Sequence, residues 1–437
     1  MASVLEFLER RPRLAKSVRS IKLSNSNRNK TRLPPGLSGL IETIPHYGPM
    51  NDTDIAVFKS AVSRMPLLKE FSWDCIGSGS PEQYINISHA LTTPAPCLEG
   101  LYINIFDLKN ILRDKQQMKR LSIWSLTSLK RVVLRFPSPS PDGIQMILSC
   151  PNIEDLSSEA TSQLKTFPFY MLQQANWTKL RRLEFQKLSL TNGAERDTDV
   201  SSIVTSFFVR HSNIECLSFY VSPKIALSTL PPSSLPKLRS LSSHLDAMMS
   251  LLSKNVISRL VHLTCTVGEI DSNTLPQMDK LESLRLFGNA NRPDLIRSFL
   301  SKAPNLKKIS VALWVSDPWN WACDMVFGGA SSVGFKNKNT RDQYMEFFLE
   351  NPQSNLTHIH IISPPIIGSD RASIKYQIGT LCEKLSALRA LKYVEVAPDH
   401  VELERDENGT YSGYRSVSLK KADQSSFWGG FFSDLSD

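Results

Sequence analysis

Leu281-Glu-Ser-Leu-Arg-Leu286 carries a spacing, Leu-x-x-Leu-x-apolar, that returns along nearly the whole 437-residue chain. Clear copies are Leu98-x-x-Leu101-x-Ile103, Leu180-x-x-Leu183-x-Phe185, Ile214-x-x-Leu217-x-Phe219 and Leu306-x-x-Ile309-x-Val311. Taking the first apolar residue as a marker, further copies begin at Val18, Leu68, Met118, Leu129, Ile153, Leu238, Leu260, Leu356 and Leu391. The last three positions alternate apolar, variable, apolar, which is the period of a strand with one buried face.

From Leu129 to Leu306 the copies lie 24, 27, 34, 24, 22, 21 and 25 residues apart, close to the roughly 20–29 of leucine-rich repeats. In that architecture each copy gives one strand to a stack, and none buries its apolar face alone. The steps from Val18 to Leu68 and from Leu306 to Leu356 are each 50 residues, so each holds a degenerate repeat or an insertion. Met118 and Leu129 are only 11 apart, so one of the two is not a strand.

Helical patterns fill the gaps. Ile55, Phe58, Val62 and Met65 share one face of a predicted helix, as do Ile203, Val204, Phe207 and Phe208. Leu295, Ile296, Phe299 and Leu300 follow Pro293, and Tyr344, Phe347 and Phe348 follow Thr340. Pro66, Pro151, Pro236, Pro304 and Pro352 fall where such helices stop. The predicted fold is therefore α/β, an irregular leucine-rich-repeat solenoid with a curved parallel sheet on its concave side and helices on its convex side. Residues 1–32 read as a basic N-terminal helix and first strand, and 33–398 as the solenoid with an inserted loop at 317–338 carrying Trp319 and Trp321. Residues 399–437 read as a polar linker, including Glu402, Glu404, Asp406 and Glu407, and an aromatic tail that caps the last repeat.

Nine Lys or Arg in residues 1–32, against Glu6 and Glu9, hold +7 of the chain's net +9. Arg10, Arg11, Arg13, Lys16 and Arg19 are a basic patch able to meet nucleic acid, an acidic partner or an import receptor, unless they form a solvated face. The seven cysteines stand singly, with no Cys-x-x-Cys pair, which fits a reducing compartment. No apolar run approaches the roughly 20 residues that cross a bilayer, and no secretory signal is legible, so a cytoplasmic or nuclear location without membrane contact is expected.

No phosphate loop, nucleophile elbow or metal spacing is present, so the expectation is a non-enzyme with no catalytic residue, metal or cofactor. His358 and His360 lie two apart, on one face of a strand, and read as a surface pair rather than ligands. Alternation puts the residues between and after the inward phrase positions on the concave surface. Tyr102, Trp124, Arg135, Gln186, Tyr220, Arg285, Phe287, Trp314 and His360 are accordingly the candidate partner-binding residues, with Trp124, Tyr220, Phe287 and Trp314 as anchors. Tyr, Trp and Arg dominate interface hot spots.

The openings Pro66-Leu-Leu-Lys-Glu-Phe71, Pro151-Asn-Ile-Glu-Asp-Leu156 and Pro304-Asn-Leu-Lys-Lys-Ile309, with the lead-in Phe7 to Leu23, resemble the leucine-rich-repeat portion of fungal F-box proteins. The resemblance covers roughly residues 4–396. In that family the repeats hold a substrate, while an upstream F-box docks on the Skp-family adaptor of a cullin ubiquitin ligase. The lead-in here begins close to Met1, so adaptor docking carries over to no residue of this sequence. The resemblance thus implies a protein-recognition scaffold, either an SCF-type substrate receptor or an F-box-less relative that keeps the recognition half. The alternative is a nucleic-acid-associated scaffold using the basic segment, whose affinity would fall steeply with salt.

Overall fold

The computed structural model describes residues 7–24, 42–45, 52–75, 81–92, 98–105, 120–136, 141–160, 169–188, 197–221, 229–267, 271–288, 293–312, 355–362, 382–383, 385–396 and 399–416, with residues 349 and 379. They fall into two compact units, residues 1–237 and 238–437.

In the first unit, strands β1 (Ser20–Ser24), β2 (Glu42–Pro45), β3 (Glu70–Cys75), β4 (Gly100–Ile105), β5 (Arg131–Phe136), β6 (Asp155–Ala160), β7 (Arg182–Leu188) and β8 (Cys216–Val221) form a parallel sheet. Their order is β2-β1-β3-β4-β5-β6-β7-β8. The connections carry α1 (Pro12–Ala15) before β1, then α2 (Asp52–Ser63), α3 (Pro81–Thr92), a 3-10 turn (Ser122–Ser125), α4 (Pro141–Leu148), α5 (Phe169–Gln174) and α6 (Asp197–Arg210). Parallel neighbours need such crossovers, because a tight turn cannot return the chain to the same end of the sheet.

The phrase residues explain the layering. Leu98, Leu129, Leu180, Ile214 and their partners three and five positions on are sealed from solvent on one face. The helices lie on that face: the Phe58 ring of α2 sits 6.3 Å from Phe71 of β3, Tyr84 of α3 stacks at 5.1 Å on Trp73, and Phe208 of α6 meets Phe219 of β8 at 5.5 Å. Register is set just before each strand, where one carbonyl accepts two amides of the next repeat. Lys69 and Glu70 both donate to Arg19, Glu99 and Gly100 to Lys69, and Lys130 and Arg131 to Glu99, at 2.7–3.0 Å.

The second unit repeats this plan with β9 (Ser240–His244), β10 (His262–Val267), β11 (Ser283–Gly288), β12 (Lys308–Ala312), β13 (His358–Ile362) and β14 (Tyr393–Val396), all parallel. Its described helices are α7 (Leu245–Leu251), α8 (Lys254–Ile257) and α9 (Pro293–Lys302), with a 3-10 turn at Ser272–Thr274. The same two-amide link recurs, including Thr357 and His358 donating to the Lys307 carbonyl at 2.8 and 3.1 Å.

Neither 50-residue step places a strand between the repeats that flank it, although the first adds β2 at the edge of the sheet. β1 bonds directly to β3, with β2 on the far side of β1, and β12 bonds directly to β13. The loop 317–338, the pattern at Tyr344 to Phe348 and the aromatic tail lie outside the described residues.

One expectation is corrected, and one choice left open by the sequence is decided. Residues 399–416 are no linker: β15 (Asp399–Arg405) and β16 (Tyr411–Ser416) form an antiparallel hairpin on the edge of β14. Val401 and Leu403 alternate with charged residues and are buried, and Asp406 Oδ1 accepts the Asn408 and Thr410 amides across the turn at 2.9 and 2.8 Å. Gly409 supplies the left-handed φ of 76° that this turn requires. The Met118 phrase is the false copy. Leu121 and Ile123 are buried, but Ser122–Ser125 forms a single turn in the helical layer, held to α3 where the Ile123 amide donates to Ser88 Oγ at 2.8 Å.

Candidate recognition face of the sheet

The sheet face opposite the helices is built from the variable positions of each phrase, which register gathers into rungs running across the strands. In the first unit one rung reads Ser20, Glu70, Gly100, Arg131, Asp155, Arg182 and Cys216. Glu70 and Arg131 stand two strands apart and form an ion pair across Gly100. A Cβ at Gly100 would lie 3.1 Å from Glu70 Cγ, so any larger residue there would push the Glu70 side chain aside by a few tenths of an ångström. Arg182 Nε approaches Asp155 Oδ1 at 3.9 Å. Burial raises the pKa of both carboxyls, and the flanking guanidiniums pull it back down, Arg131 at Glu70 and Arg182 with Arg131 at Asp155. At the end of the rung burial pushes the Cys216 thiol up to about 12, so it is no nucleophile near neutral pH.

The next rung reads Lys22, Ser72, Tyr102, Val133, Ser157, Glu184 and Ser218. Tyr102 belongs to this face but is only 5% exposed, so it offers little area to a partner. Ser157 Oγ donates to Glu184 at 2.8 Å. Arg135 and Gln186 hold positions on the third rung, with Asn104 and Glu159 between and beside them in register. The pairing of β7 with β8 then slips, because Phe185 matches Phe219 while Leu188 matches Val221. Two residues of β7 thus oppose Tyr220 alone, a bulge that takes this half-exposed tyrosine off the rung.

In the second unit Arg285 and Phe287 come together, the guanidinium carbon 4.3 Å above the ring centroid, and both are half-exposed. Such a stacked pair presents charge and aromatic area at once. The neighbouring rung positions are Thr264 and Ser310, both buried. His360 is not a surface residue: it is 4% exposed and its Nδ1 lies 3.1 Å from Ser310 Oγ. His358 stacks on Tyr393 at 4.7 Å, so the two histidines serve different neighbours. Tyr393 shares a hydrogen bond with Glu402, which in turn takes Arg415 Nη2 at 2.7 Å.

Of the nine candidates, then, the structure brings Arg285 and Phe287 into contact, leaves Tyr220 accessible, and buries Tyr102 and His360. Trp124 is corrected: it lies in the 3-10 turn on the helical side, because 11 residues are too few for a second parallel strand and its crossover. Trp314 lies outside the described residues. The ion-pair rung escaped the sequence reading, although its signal was present. From the Leu68 phrase to the Leu180 phrase the third position runs Glu70, Gly100, Arg131, Asp155 and Arg182, alternating in charge on either side of the glycine.

Among the described residues no three His, Cys, Asp or Glu side chains converge as metal ligands, and no helix is long and apolar enough to cross a membrane. Cys150, Cys216, Cys265 and Cys382 are unpaired thiols, with pKa values raised by burial. The chain matches no protein-family model and no curated protein.

Proposed function

We propose that the chain is a leucine-rich-repeat recognition scaffold, not an enzyme, and that its open sheet face binds a protein partner. The observation that carries this reading is the half-exposed Arg285–Phe287 stack on a hydrogen-bonded parallel sheet, whose backbone is locked repeat by repeat. A rigid frame lowers the entropy lost on binding, and Arg and aromatic side chains are those that most often anchor interfaces. Tyr220 is the corresponding accessible aromatic of the first unit. The half-buried charges of the Glu70 to Arg182 rung are compensated by one another within the face, and we assign them to the framework.

The unpaired thiols support a reducing, cytoplasmic or nuclear location. The resemblance to fungal F-box proteins supports a role in substrate recognition for a ubiquitin ligase. The test is capture from native cells by the tagged chain, by Tyr220→Ala, by Arg285→Ala/Phe287→Ala and by Val209→Ala, an exposed control on the helical layer. A partner kept by the control and lost from an open-face variant supports the reading, and one kept by all variants overturns it. Co-capture of a Skp-family adaptor and a cullin would extend the reading to a ligase receptor; their absence would leave a free-standing scaffold.

A further inference from the structure

Residues 7–19 carry a second surface that the open face does not use. Leu8 and Ala15 are buried and seat the segment on the first unit. It is tied to α2 where Ser60 Oγ donates to the Glu9 carboxylate and the Arg64 guanidinium donates to the Glu9 carbonyl. This leaves Arg10, Arg13, Lys16 and Arg19, one at every third position, exposed, and none of their side chains bonds to a described residue. At helical or turn-like rise these cations stand about 5 Å apart along the segment. Beside them, Phe7 is 47% and Leu14 46% exposed, and Arg11 caps the Phe7 ring at 5.0 Å.

Two features decide the chemistry of what binds. With Glu9 engaged by Ser60 and Arg64, the segment presents cations only, so its complement is acidic. Contact with a phosphate backbone alone would leave Phe7 and Leu14 uncovered, one face of the Phe7 ring is already taken by Arg11, and two side chains bury too little area to anchor the chain on a lipid surface. Three of the four spaced cations are arginines, which suit bidentate contact with carboxylates. We propose that residues 7–19 dock an acidic, amphipathic segment of a partner protein. Its carboxylates meet Arg10, Arg13, Lys16 and Arg19, and its apolar side chains cover Phe7 and Leu14.

The experiment is fluorescence anisotropy of the full chain with a labelled peptide of repeating Glu-Leu-Asp-Phe. A poly-glutamate peptide of equal length, a single-stranded oligothymidylate and phosphatidylserine vesicles are the comparison probes. The variants are Arg13→Glu/Lys16→Glu and Phe7→Ser/Leu14→Ser, all at exposed positions, with thermal melts to verify folding. Each pair is expected to weaken the amphipathic peptide by about tenfold or more, and poly-glutamate to bind about tenfold more weakly than it. Tighter binding of oligothymidylate or vesicles than of the peptide would overturn the proposal in favour of that ligand. Indifference to Phe7→Ser/Leu14→Ser, or no peptide binding at all, would also overturn it.

Discussion

Gly100 shows how one missing side chain shapes a surface. A Cβ at position 100 would lie 3.1 Å from Cγ of Glu70, the side chain that pairs with Arg131. Gly100→Val is therefore expected to crowd Glu70, weaken the pair and destabilise the first unit by about 1–3 kcal/mol in urea unfolding, since a half-buried carboxylate is displaced from its partner. In an Arg131→Ala background the same substitution should cost distinctly less, because the pair is already gone.

His211 is a second residue with a legible energetic role. Its Nε2 accepts the Trp177 amide at 3.1 Å while Nδ1 faces the Phe207 carbonyl at 2.8 Å, which fixes a neutral ring with the proton on Nδ1. Burial, helped by the Arg210 charge and opposed by the Phe207 hydrogen bond, lowers its pKa. The unfolded chain, with an ordinary histidine near 6.5, takes up the proton first as pH falls. Stability should thus be full above about pH 6.5, decline as pH drops below it, and level off below the folded-state pKa. Urea midpoints measured from neutral to acid pH check this. In His211→Asn the part of the slope due to this ring should disappear.

At the scale of elements, the repeat phrase is readable because it is local. Leu183, Leu217 and Leu284 are each 2% exposed or less, as strand alternation demands, and truncating any of them to Ala should cost about 2–5 kcal/mol. What lies between phrases is decided by pairing far along the chain. Composition cannot say that Thr357 donates to Lys307 across a 50-residue step, so the insertion stays ambiguous until the ladder is seen. Trp124 is misread for a related reason: buried Leu121 and Ile123 satisfy a one-turn helix packed on α3 as well as they would a strand. At 399–416 the charged residues outnumber the two that are buried, so Val401 and Leu403 do not stand out as a strand pattern.

The hairpin has a consequence of its own. β14 would otherwise present unpaired amides and carbonyls on its outer edge, a template for association with another chain. A chain ending at residue 398 should melt earlier in its second unit and self-associate in light scattering. Equal stability and a monomeric state would show that the hairpin is dispensable.

At the scale of the whole molecule, the proposed surfaces differ in chemistry. The sheet face carries the accessible Tyr220 in the first unit and Arg285 with Phe287 in the second, while residues 7–19 concentrate exposed cations and two apolar side chains. Side-chain type and alternation put Tyr102, Arg285, Phe287 and His360 on the open face from sequence alone. Which of them a partner can reach depends on packing by neighbours such as Ser310, and that was not legible.

Site-specific photocross-linking addresses the central claim most directly, with benzoylphenylalanine replacing Phe287 on the open face in one chain and Val209 on the helical layer in another. A discrete cross-linked partner from position 287 and none from position 209 is the predicted result. Adducts from position 209 alone, or the same adducts from both, would contradict recognition by the open face.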